Sequence, residues 1–338
     1  MAPTSSVLIL GARGRFGSAA ARAFAQAGWQ VHAQLRPGAT GPHISGVQWL
    51  QAQPQDTATL AAAARGATVV VQALSPVYTD RAWRAGMPRL TAAAIAIARE
   101  LGATLMLPAS VYNFGEAMPE RLFENTPQNP TTIKGHLRIA SEQQIRSATE
   151  DGRMKAVLIR GGDFFGNGSG SWVDKVMVKN LRQGKFTYPG KLDVRTTWAY
   201  LPDMARTFVS VAQQRAKLPA FETLHFSGYQ VTGQDWADAL DAVAREQGWV
   251  APGQSLRVSS LSWPLMRIGA LFLPTFAALY EMRYLWRTPY TLVNTRMAAI
   301  GVQESQTPFV EALRSALSDL GLLDAVREAP LLPAESAA

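Results

Sequence analysis

The stretch Val7-Leu8-Ile9-Leu10-Gly11-Ala12-Arg13-Gly14-Arg15-Phe16-Gly17, near the start of the 338-residue chain, decides the fold. Its first four residues predict a buried strand, and the alanine-rich segment that follows, up to residue 26, predicts a helix. The pattern G-x-x-G-x-x-G joins the two. Gly11 permits a tight turn, Gly14 lets backbone N–H groups approach a phosphate, and Gly17 allows the helix to pack closely on the strand. The stretch therefore predicts a dinucleotide-binding turn at a helix N-terminus.

The rest of the first half continues the alternation of strands and helices. Because each strand is followed by a helix, this order predicts a doubly wound parallel sheet, an α/β fold of Rossmann type. We expect a Rossmann domain at 1–165, a smaller and mostly helical substrate-binding region at 166–328 with some segments returning to the sheet, and a frayed tail at 329–338. The predicted strands are 30–35, 47–51, 68–72, 104–107 and 155–160, and the predicted helices are 56–64, 88–100, 131–150, 172–183, 203–215, 233–247, 262–286 and 307–320, with a loop at 161–170.

Composition excludes several classes of protein. Apolar residues make up 47% of the chain and charged residues 17%, which is typical of a globular protein and not of a disordered one. The absence of cysteine excludes disulfides, thiolate metal sites and a cysteine nucleophile. None of the four histidines has the spacing of metal ligands, so we expect no metal site.

The chain shows no pattern of a targeting or membrane-spanning segment. Its N-terminus lacks the basic region and the long apolar run of a signal peptide. The apolar stretch from Trp263 to Tyr280 contains Arg267 and two prolines, which argues against a spanning helix. We therefore expect a cytoplasmic protein without a membrane partner, in which this stretch forms buried helices or a hydrophobic lid.

The distribution of charge indicates the cofactor. Residues 1–55 contain four arginines and no acidic residue, so they carry half of the formal net charge of +8. An NAD-binding protein places an acidic residue about 20 residues after the glycine turn, to bind the ribose hydroxyls. Here Arg36 follows the second strand, where a 2′-phosphate would lie, and Arg13 lies within the turn. We therefore expect NADP(H) and no nucleic-acid partner. The side chains of Arg15 and Arg22 are most simply interpreted as surface residues.

Further motifs give a family resemblance. In order along the chain they are Val69–Ala73, Ser110-Val111-Tyr112, Ile159–Gly166, Ala199–Asp203 and Val293–Arg296 followed by Ile300-Gly301. Together with the turn, they resemble the extended and atypical short-chain dehydrogenase/reductases over about residues 1–320, and in particular proteins of the NAD-dependent epimerase/dehydratase group. This resemblance implies a Rossmann fold and a nicotinamide cofactor, and the possibility of a homodimer. It does not name a substrate.

The catalytic residues of that family are replaced here. The family uses Ser or Thr, Tyr and Lys, the last two spaced Y-x-x-x-K. In this chain Pro108 stands at the Ser/Thr position, Lys134 at the tyrosine position and Arg138 at the lysine position. The pattern K-x-x-x-R-x-x-x-E, ending at Glu142, resembles the isoflavone-reductase-like reductases, in which a lysine is the acid/base. Residues four apart share a helix face, so we expect the Arg138 charge to lower the pKa of Lys134, which could then exchange a proton near neutral pH.

Three roles for Lys134 stay open: acid/base catalysis, binding of the nicotinamide ribose, or neither. Ser110 and Tyr112 could hydrogen-bond a substrate carbonyl. Three functions follow: an NADPH-dependent reductase of a small, apolar carbonyl or activated double-bond substrate, a nucleotide-sugar epimerase or dehydratase, or a sensor or scaffold that binds NADP(H) without turnover. The expected catalytic residues are Lys134, Tyr112 and Ser110, and the expected cofactor-binding residues are Gly11, Arg13, Gly14, Arg15, Phe16, Gly17, Arg36, Ala73, Leu74, Ser75, Pro108, Lys134, Gly162 and Phe164.

Overall fold

The computed structural model describes residues 5–323, so the tail predicted at 329–338 lies outside the described residues. The strands are β1 (Ser6–Leu10), β2 (Gln30–Leu35), β3 (Val47–Gln51), β4 (Val69–Gln72), β5 (Thr104–Ala109), β6 (Arg121–Leu122), β7 (Lys155–Arg160), β8 (Asp163–Phe165), β9 (Lys185–Tyr188), β10 (Thr196–Tyr200), β11 (Phe221–His225), β12 (Tyr229–Val231), β13 (Arg257–Ser260) and β14 (Thr291–Leu292).

The α-helices are α1 (Arg15–Gln26), α2 (Thr57–Ala63), α3 (Asp80–Leu101), α4 (Ile133–Ala148), α5 (Leu201–Gln213), α6 (Gly233–Glu246), α7 (Trp263–Gly269), α8 (Pro274–Glu281) and α9 (Phe309–Asp319). Shorter helical turns lie at Val111–Phe114, Val173–Met177, Leu181–Gln183, Arg215–Lys217, Met282–Trp286 and Ala298–Ile300.

Seven parallel strands form the central sheet, in the order β11-β7-β5-β4-β1-β2-β3. The order reverses at β1, as in a doubly wound sheet, so the Rossmann-type fold is confirmed. Val69, Val70 and Val71 of β4 are fully buried, because apolar clusters cover both faces of the sheet. The carboxyl ends of β1, β4 and β5 therefore meet at one edge, where a ligand of such a sheet binds.

The seventh strand, β11, comes from the C-terminal half and pairs with β7. A strand beyond residue 165 thus belongs to the central sheet, and the division of the chain at residue 165 stays a prediction. Most residues of a further apolar cluster, rich in aromatic rings, come from the same half. Trp198, for example, lies with its ring centroid 4.7 Å from that of Trp236.

Four predicted elements differ from the structure. Helix α3 begins eight residues before the predicted start, because the Thr79 side chain accepts a hydrogen bond from the N–H of Ala82 and so caps it; Pro88 lies inside the helix. The predicted helix 172–183 is two short turns. Residues 163–165, predicted as loop, form β8 because they pair with β10.

The apolar stretch predicted as one helix at 262–286 consists of α7, α8 and a short 3₁₀ turn. Pro274 begins α8. Its missing N–H costs no hydrogen bond there, because the N–H groups in the first turn of a helix have no acceptor within the helix. Within residues 5–323, no helix combines the length and the apolar character needed to cross a bilayer.

Candidate functional site

The glycine turn has the geometry that its sequence predicts. Gly11 has a φ of +78°, a left-handed conformation that favours glycine. A Cβ on Gly17 would lie 2.3 Å from the Gly11 carbonyl oxygen, so no larger residue fits without moving the backbone. The turn therefore holds α1 directly against the end of β1.

A glutamine that the sequence analysis missed holds this turn in place. The buried Gln34 side chain on β2 accepts a hydrogen bond from the Gly11 N–H at 2.9 Å and donates one to the Ala52 carbonyl at 2.7 Å. A polar residue among the buried residues of β2 was the available signal. The bridge links the turn to β2, whose carboxyl end carries Arg36.

The N-terminus of α1 is open to a ligand. Gly14 is the N-cap residue and has no side chain to cap the helix. In the described chain, the N–H groups of Arg15 and Phe16 have no acceptor, so they are available to an anion at the positive end of the helix dipole. The exposed Gly14 leaves space for that anion.

Two arginines flank this open helix end. Arg13 lies in the turn and Arg36 directly after β2, and both side chains are exposed. Neither guanidinium has a hydrogen bond or ion pair with another residue between 5 and 323. Both therefore remain able to bind a phosphate.

The Arg15 side chain does not occupy the surface position that the sequence predicted. Its guanidinium donates to the Gly166 carbonyl at 2.9 Å and to the Phe164 carbonyl at 3.3 Å. Burial lowers the pKa of Arg15 to about 10, which leaves it charged at neutral pH. The Asn167 amide in turn donates to the Arg15 carbonyl and to Ser18 Oγ. Arg15 therefore ties the loop after β8 to α1, while only its backbone N–H faces the open end.

The remaining predicted cofactor contacts lie around the same edge of the sheet. Ala73, Leu74 and Pro108 are half-buried at the ends of β4 and β5, and Ser75 is exposed. Gly162 is buried, and a Cβ there would lie 1.8 Å from the Thr197 carbonyl oxygen, so close packing with β10 explains this glycine. Phe164 is half-buried beside it.

Lys134 lies at the first turn of α4 and is completely buried. The Thr132 side chain caps this helix by accepting from the Gly135 N–H at 3.1 Å. The Lys134 amine forms ion pairs with Asp80 at 2.5 Å and with Glu281 at 3.4 Å, and it lies 4.9 Å from the centre of the Tyr78 ring. Glu281 also accepts from the Ile133 N–H at 2.9 Å. These contacts join α3, α4 and α8 at one point.

This environment differs from the one that the helix pattern led us to expect. Two carboxylates, rather than Arg138, are the charged groups in contact with the Lys134 amine. Arg138 instead lies over the Trp83 ring, 5.1 Å from its centre. Glu142, the last residue of the pattern, forms a buried ion pair with Arg160 at 2.9 Å. The three charged residues of the pattern, Lys134, Arg138 and Glu142, therefore contact different parts of the tertiary structure.

The structure brings two of the three predicted catalytic residues together. The Tyr112 hydroxyl lies 3.4 Å from that of Tyr78, whose ring also contacts Lys134. Burial raises the pKa of Tyr112 to about 12, so this hydroxyl is a neutral hydrogen-bond donor at pH 7. The buried Ser110 hydroxyl has no hydrogen-bond partner in the described part of the chain. It forms no hydrogen bond with Lys134 or Tyr112.

Asp163, at the start of β8, is a further titratable group that the sequence analysis did not select as catalytic. Burial raises its pKa to about 7. No cation or hydrogen-bond donor within residues 5–323 contacts its carboxyl. Its negative charge contributes to raising the pKa of five tyrosines that are buried or half-buried: Tyr78, Tyr112, Tyr188, Tyr284 and Tyr290.

Sequence reasoning also missed Asp80, Glu281, Tyr78 and Trp83 around Lys134. One signal existed for Glu281, which is the only acidic residue between positions 247 and 303. The other three carry no motif and approach Lys134 only through the packing of α3 on α4. The residues described include no cluster of His, Asp and Glu that could hold a metal ion.

Comparison with known proteins supports the interpretation of the turn and the sheet as parts of a Rossmann-type fold. The model of the NAD dependent epimerase/dehydratase family matches residues 7–225. Among curated proteins, none matches the chain. Solved structures with a similar fold include the UDP-glucose 4-epimerase from Brucella ovis in complex with NAD, which is 15% identical, with coverage of 94% of this chain and 99% of that one and a TM-score of 0.68.

Two further structures show the same similarity. The UDP-N-acetylglucosamine 4-epimerase from Bacillus cereus is 11% identical, with 96% of this chain and 99% of that chain covered and a TM-score of 0.69. The NAD-dependent NDP-hexosamine 5,6-dehydratase of tunicamycin biosynthesis is 16% identical, with coverages of 95% and 99% and a TM-score of 0.65. At these identities the similarity establishes the fold and not the substrate.

Proposed function

Because the chain belongs to the NAD dependent epimerase/dehydratase family, we propose that it is a hydride-transfer enzyme that uses NADP(H). We further propose that it reduces a small, apolar carbonyl or activated double-bond substrate. The observation that carries this proposal is the ion-paired Lys134 at the position of the family's tyrosine.

The cofactor part of the proposal rests on the two arginines at the dinucleotide edge. The unsatisfied N–H groups at the start of α1 fit a pyrophosphate, and the glycine turn leaves room for it. Arg13 and Arg36 are exposed and have no partner among residues 5–323, and residues 1–55 contain no acid that would bind a 2′-hydroxyl. A 2′-phosphate would find two cations there, in a segment that contains no acidic residue.

The direction of the reaction follows from Lys134. When bound, the reduced nicotinamide supplies a hydride. Reduction of a carbonyl then needs a proton for the oxygen, whereas oxidation of a hydroxyl needs a base that removes one. The carboxylates of Asp80 and Glu281, at 2.5 Å and 3.4 Å from the Lys134 amine, stabilise a positive charge there, which suits the donation of a proton to a carbonyl oxygen. Lys134 therefore suits reduction.

Access to Lys134 requires one of its contacts to be replaced. The contact with Glu281, at 3.4 Å, is the longer of the two, so we propose that the substrate oxygen displaces it. Asp80 keeps its contact at 2.5 Å, and about a third of its side chain is exposed. Asp80 thereby connects the amine to water, from which Lys134 regains its proton. Tyr112, a neutral donor, hydrogen-bonds the same substrate oxygen.

A second function, nucleotide-sugar epimerisation or dehydration, is favoured by the family match and by the activities named for the similar structures. It needs a group that removes a hydroxyl proton. Asp163, with a pKa of about 7, is the group near the tyrosines that could do so. Conversion of a UDP-sugar in the presence of NAD would establish this function in place of reduction.

The cofactor is tested by titrating the purified protein with NADPH and NADH and following nicotinamide fluorescence. We expect NADPH to bind at least tenfold more tightly, because two phosphate–arginine contacts are gained. Arg36→Asp should remove most of that preference and leave NADH binding nearly unchanged. Arg65→Asp, at an exposed position in the turn before β4, makes the same change of charge as a control. Equal weakening of both cofactors by Arg36→Asp would contradict the proposal.

The reaction is tested by following NADPH oxidation at 340 nm with a panel of aldehydes, ketones and enones. We expect turnover that Lys134→Met lowers at least a hundredfold in kcat without changing the affinity for NADPH. Tight NADPH binding with no turnover on any substrate would instead establish the sensor function. Unchanged turnover in Lys134→Met would exclude Lys134 as the proton donor.

A further inference from the structure

An exposed apolar surface lies on the α7–α8 hairpin, which the sequence led us to expect as buried helices or a lid. We define the hairpin tip as residues 264–277. Seven large apolar side chains are exposed in the described chain, and five of them lie in this tip, at exposures of 50% to 79%. The clustering distinguishes the tip from ordinary scattered surface residues. The five are Leu265, Ile268, Leu271, Phe272 and Leu273.

The base of the hairpin is firmly anchored. The buried Trp263 donates from Nε1 to the Pro189 carbonyl at 2.7 Å, and its ring packs against those of Trp172 and Tyr280. Within the tip, Gly269 packs so closely on Phe276 that a Cβ would lie 2.6 Å from the ring. The two helices therefore hold each other, and the tip presents its apolar side chains from a defined position.

The charge around the tip is positive. No acidic residue occurs from position 247 to position 280, and Glu281 directs its carboxylate to Lys134. Arg267 lies within the tip and is exposed, with no ion pair to any residue that the structure describes. Arg287 is exposed beside the hairpin base, 6.0 Å from the centre of the Trp263 ring. Apolar side chains thus lie together with two cations, Arg267 and Arg287, that form no ion pair with any residue between 5 and 323.

We propose that the hairpin tip docks on an anionic lipid bilayer. Leu271 and Phe272, at 79% and 76% exposure the most exposed of the five, enter the region between the headgroups, and Arg267 binds a lipid phosphate. This proposal replaces the expectation of no membrane partner, which rested on the absence of a spanning helix. Docking at the surface needs no such helix.

A second copy of the chain suits this surface less well. In a two-fold symmetric contact, the same patch faces itself, so Arg267 of each copy would approach the other. The tip offers no acidic residue to balance them. An anionic bilayer supplies both an apolar phase and the missing negative charge.

The proposal does not depend on the reductase function. The chain nevertheless connects the two sites, since Glu281 ends α8 and its carboxylate contacts Lys134 and the Ile133 N–H. The hairpin tip proposed to dock on the bilayer therefore belongs to the same hairpin whose last residue, Glu281, contacts Lys134.

The full-length protein is tested by co-sedimentation with lipid vesicles, either of phosphatidylcholine alone or with about a third of phosphatidylglycerol. We expect sedimentation with the anionic vesicles that weakens as salt is added, and little with the neutral ones. The double variant Leu271→Ser/Phe272→Ser should weaken partitioning about tenfold or more, and Arg267→Gln about fivefold. These side chains are exposed, so circular dichroism and thermal unfolding should match the wild type.

Matched controls make the same chemical changes elsewhere. Val258→Ser removes an exposed apolar side chain outside the tip, and Arg65→Gln removes an exposed cation. Neither should change partitioning by more than about twofold. The proposal is overturned if anionic vesicles do not bind the protein, or if they bind the tip variant as well as the wild type. Sedimentation velocity showing a dimer that the tip variant abolishes would identify a second copy as the partner instead.

Discussion

Two regions place their cations in opposite surroundings. We call them the dinucleotide edge, which is the N-terminus of α1 with Arg13 and Arg36, and the Lys134 cluster, which is Lys134 with Asp80 and Glu281. At the edge, Arg13 and Arg36 are exposed and have no partner in the described chain. In the cluster, Lys134 is fully buried and contacts two carboxylates. An anion can therefore bind at the edge without displacing anything, whereas a ligand of Lys134 must compete with Glu281. The cations at the edge serve binding, and the buried one serves both the packing of three helices and the proposed proton transfer.

The largest effect on stability is expected from Lys134→Met, which leaves the carboxylates of Asp80 and Glu281 facing each other without a cation. Breaking a buried ion pair costs about 3–5 kcal/mol, and the partial exposure of both carboxylates places this case near the lower end. Urea unfolding of the apo-protein measures the change.

The matched control removes the charges of the partners. In an Asp80→Asn/Glu281→Gln background, the same Lys134→Met change should cost less than half as much, because no uncompensated carboxylate remains. An equal cost in both backgrounds would show that Lys134 stabilises the protein by packing alone, and the contrast between the two regions would be lost.

At the dinucleotide edge, two alanine substitutions should separate fold from binding. Gly17→Ala places a Cβ 2.3 Å from the Gly11 carbonyl oxygen and should lower stability by about 1–3 kcal/mol. Gly14→Ala places its Cβ 3.2 Å from the same oxygen, so stability should change by less than about 1 kcal/mol.

For Gly14→Ala we expect a large effect on NADPH binding and a small one on stability. Its methyl group would stand in front of the open N–H groups, so NADPH affinity should fall about tenfold while the melting temperature stays nearly constant. Thermal unfolding and fluorescence titration of both variants provide the measurements. Wild-type NADPH affinity in Gly14→Ala would contradict the placement of the pyrophosphate.

The smallest effect concerns pH and Asp163. The pKa of this carboxyl is raised from its usual 3.8 to about 7, so the folded state binds more protons than the unfolded state between these two values. Wild-type stability should therefore fall as the pH rises from about 4 to 7, by on the order of 1 kcal/mol given its partial exposure. Asp163→Asn stays neutral and should lack this loss.

The comparison is made by melting both proteins at pH 5 and pH 8. The melting temperature of Asp163→Asn relative to the wild type should be higher at pH 8 than at pH 5, by about 2 °C. A constant difference would show that the Asp163 carboxyl is solvated and binds protons alike in the folded and the unfolded protein.

The sequence predicted the strands of the sheet better than the surroundings of its site. The bounds of β2, β3 and β7 agree with the prediction, since alternating apolar residues in β2 and β3 and an apolar run in β7 are local patterns. The prediction was wrong at β8, because residues 163–165 form a strand only where β10 lies beside them. It was also wrong for the early start of α3, which depends on the capping side chain of Thr79.

The sequence by itself determined the Rossmann-type sheet, the glycine turn and the charge of the segment around it, because these depend on residues that are adjacent in the chain. Only the tertiary structure decided the partners of Lys134, the inward position of Arg15 and the exposure of the hairpin tip. Along the chain, Lys134 lies 54 residues from Asp80 and 147 residues from Glu281. Which charges meet over such separations is decided by the packing of helices, and no local pattern encodes it.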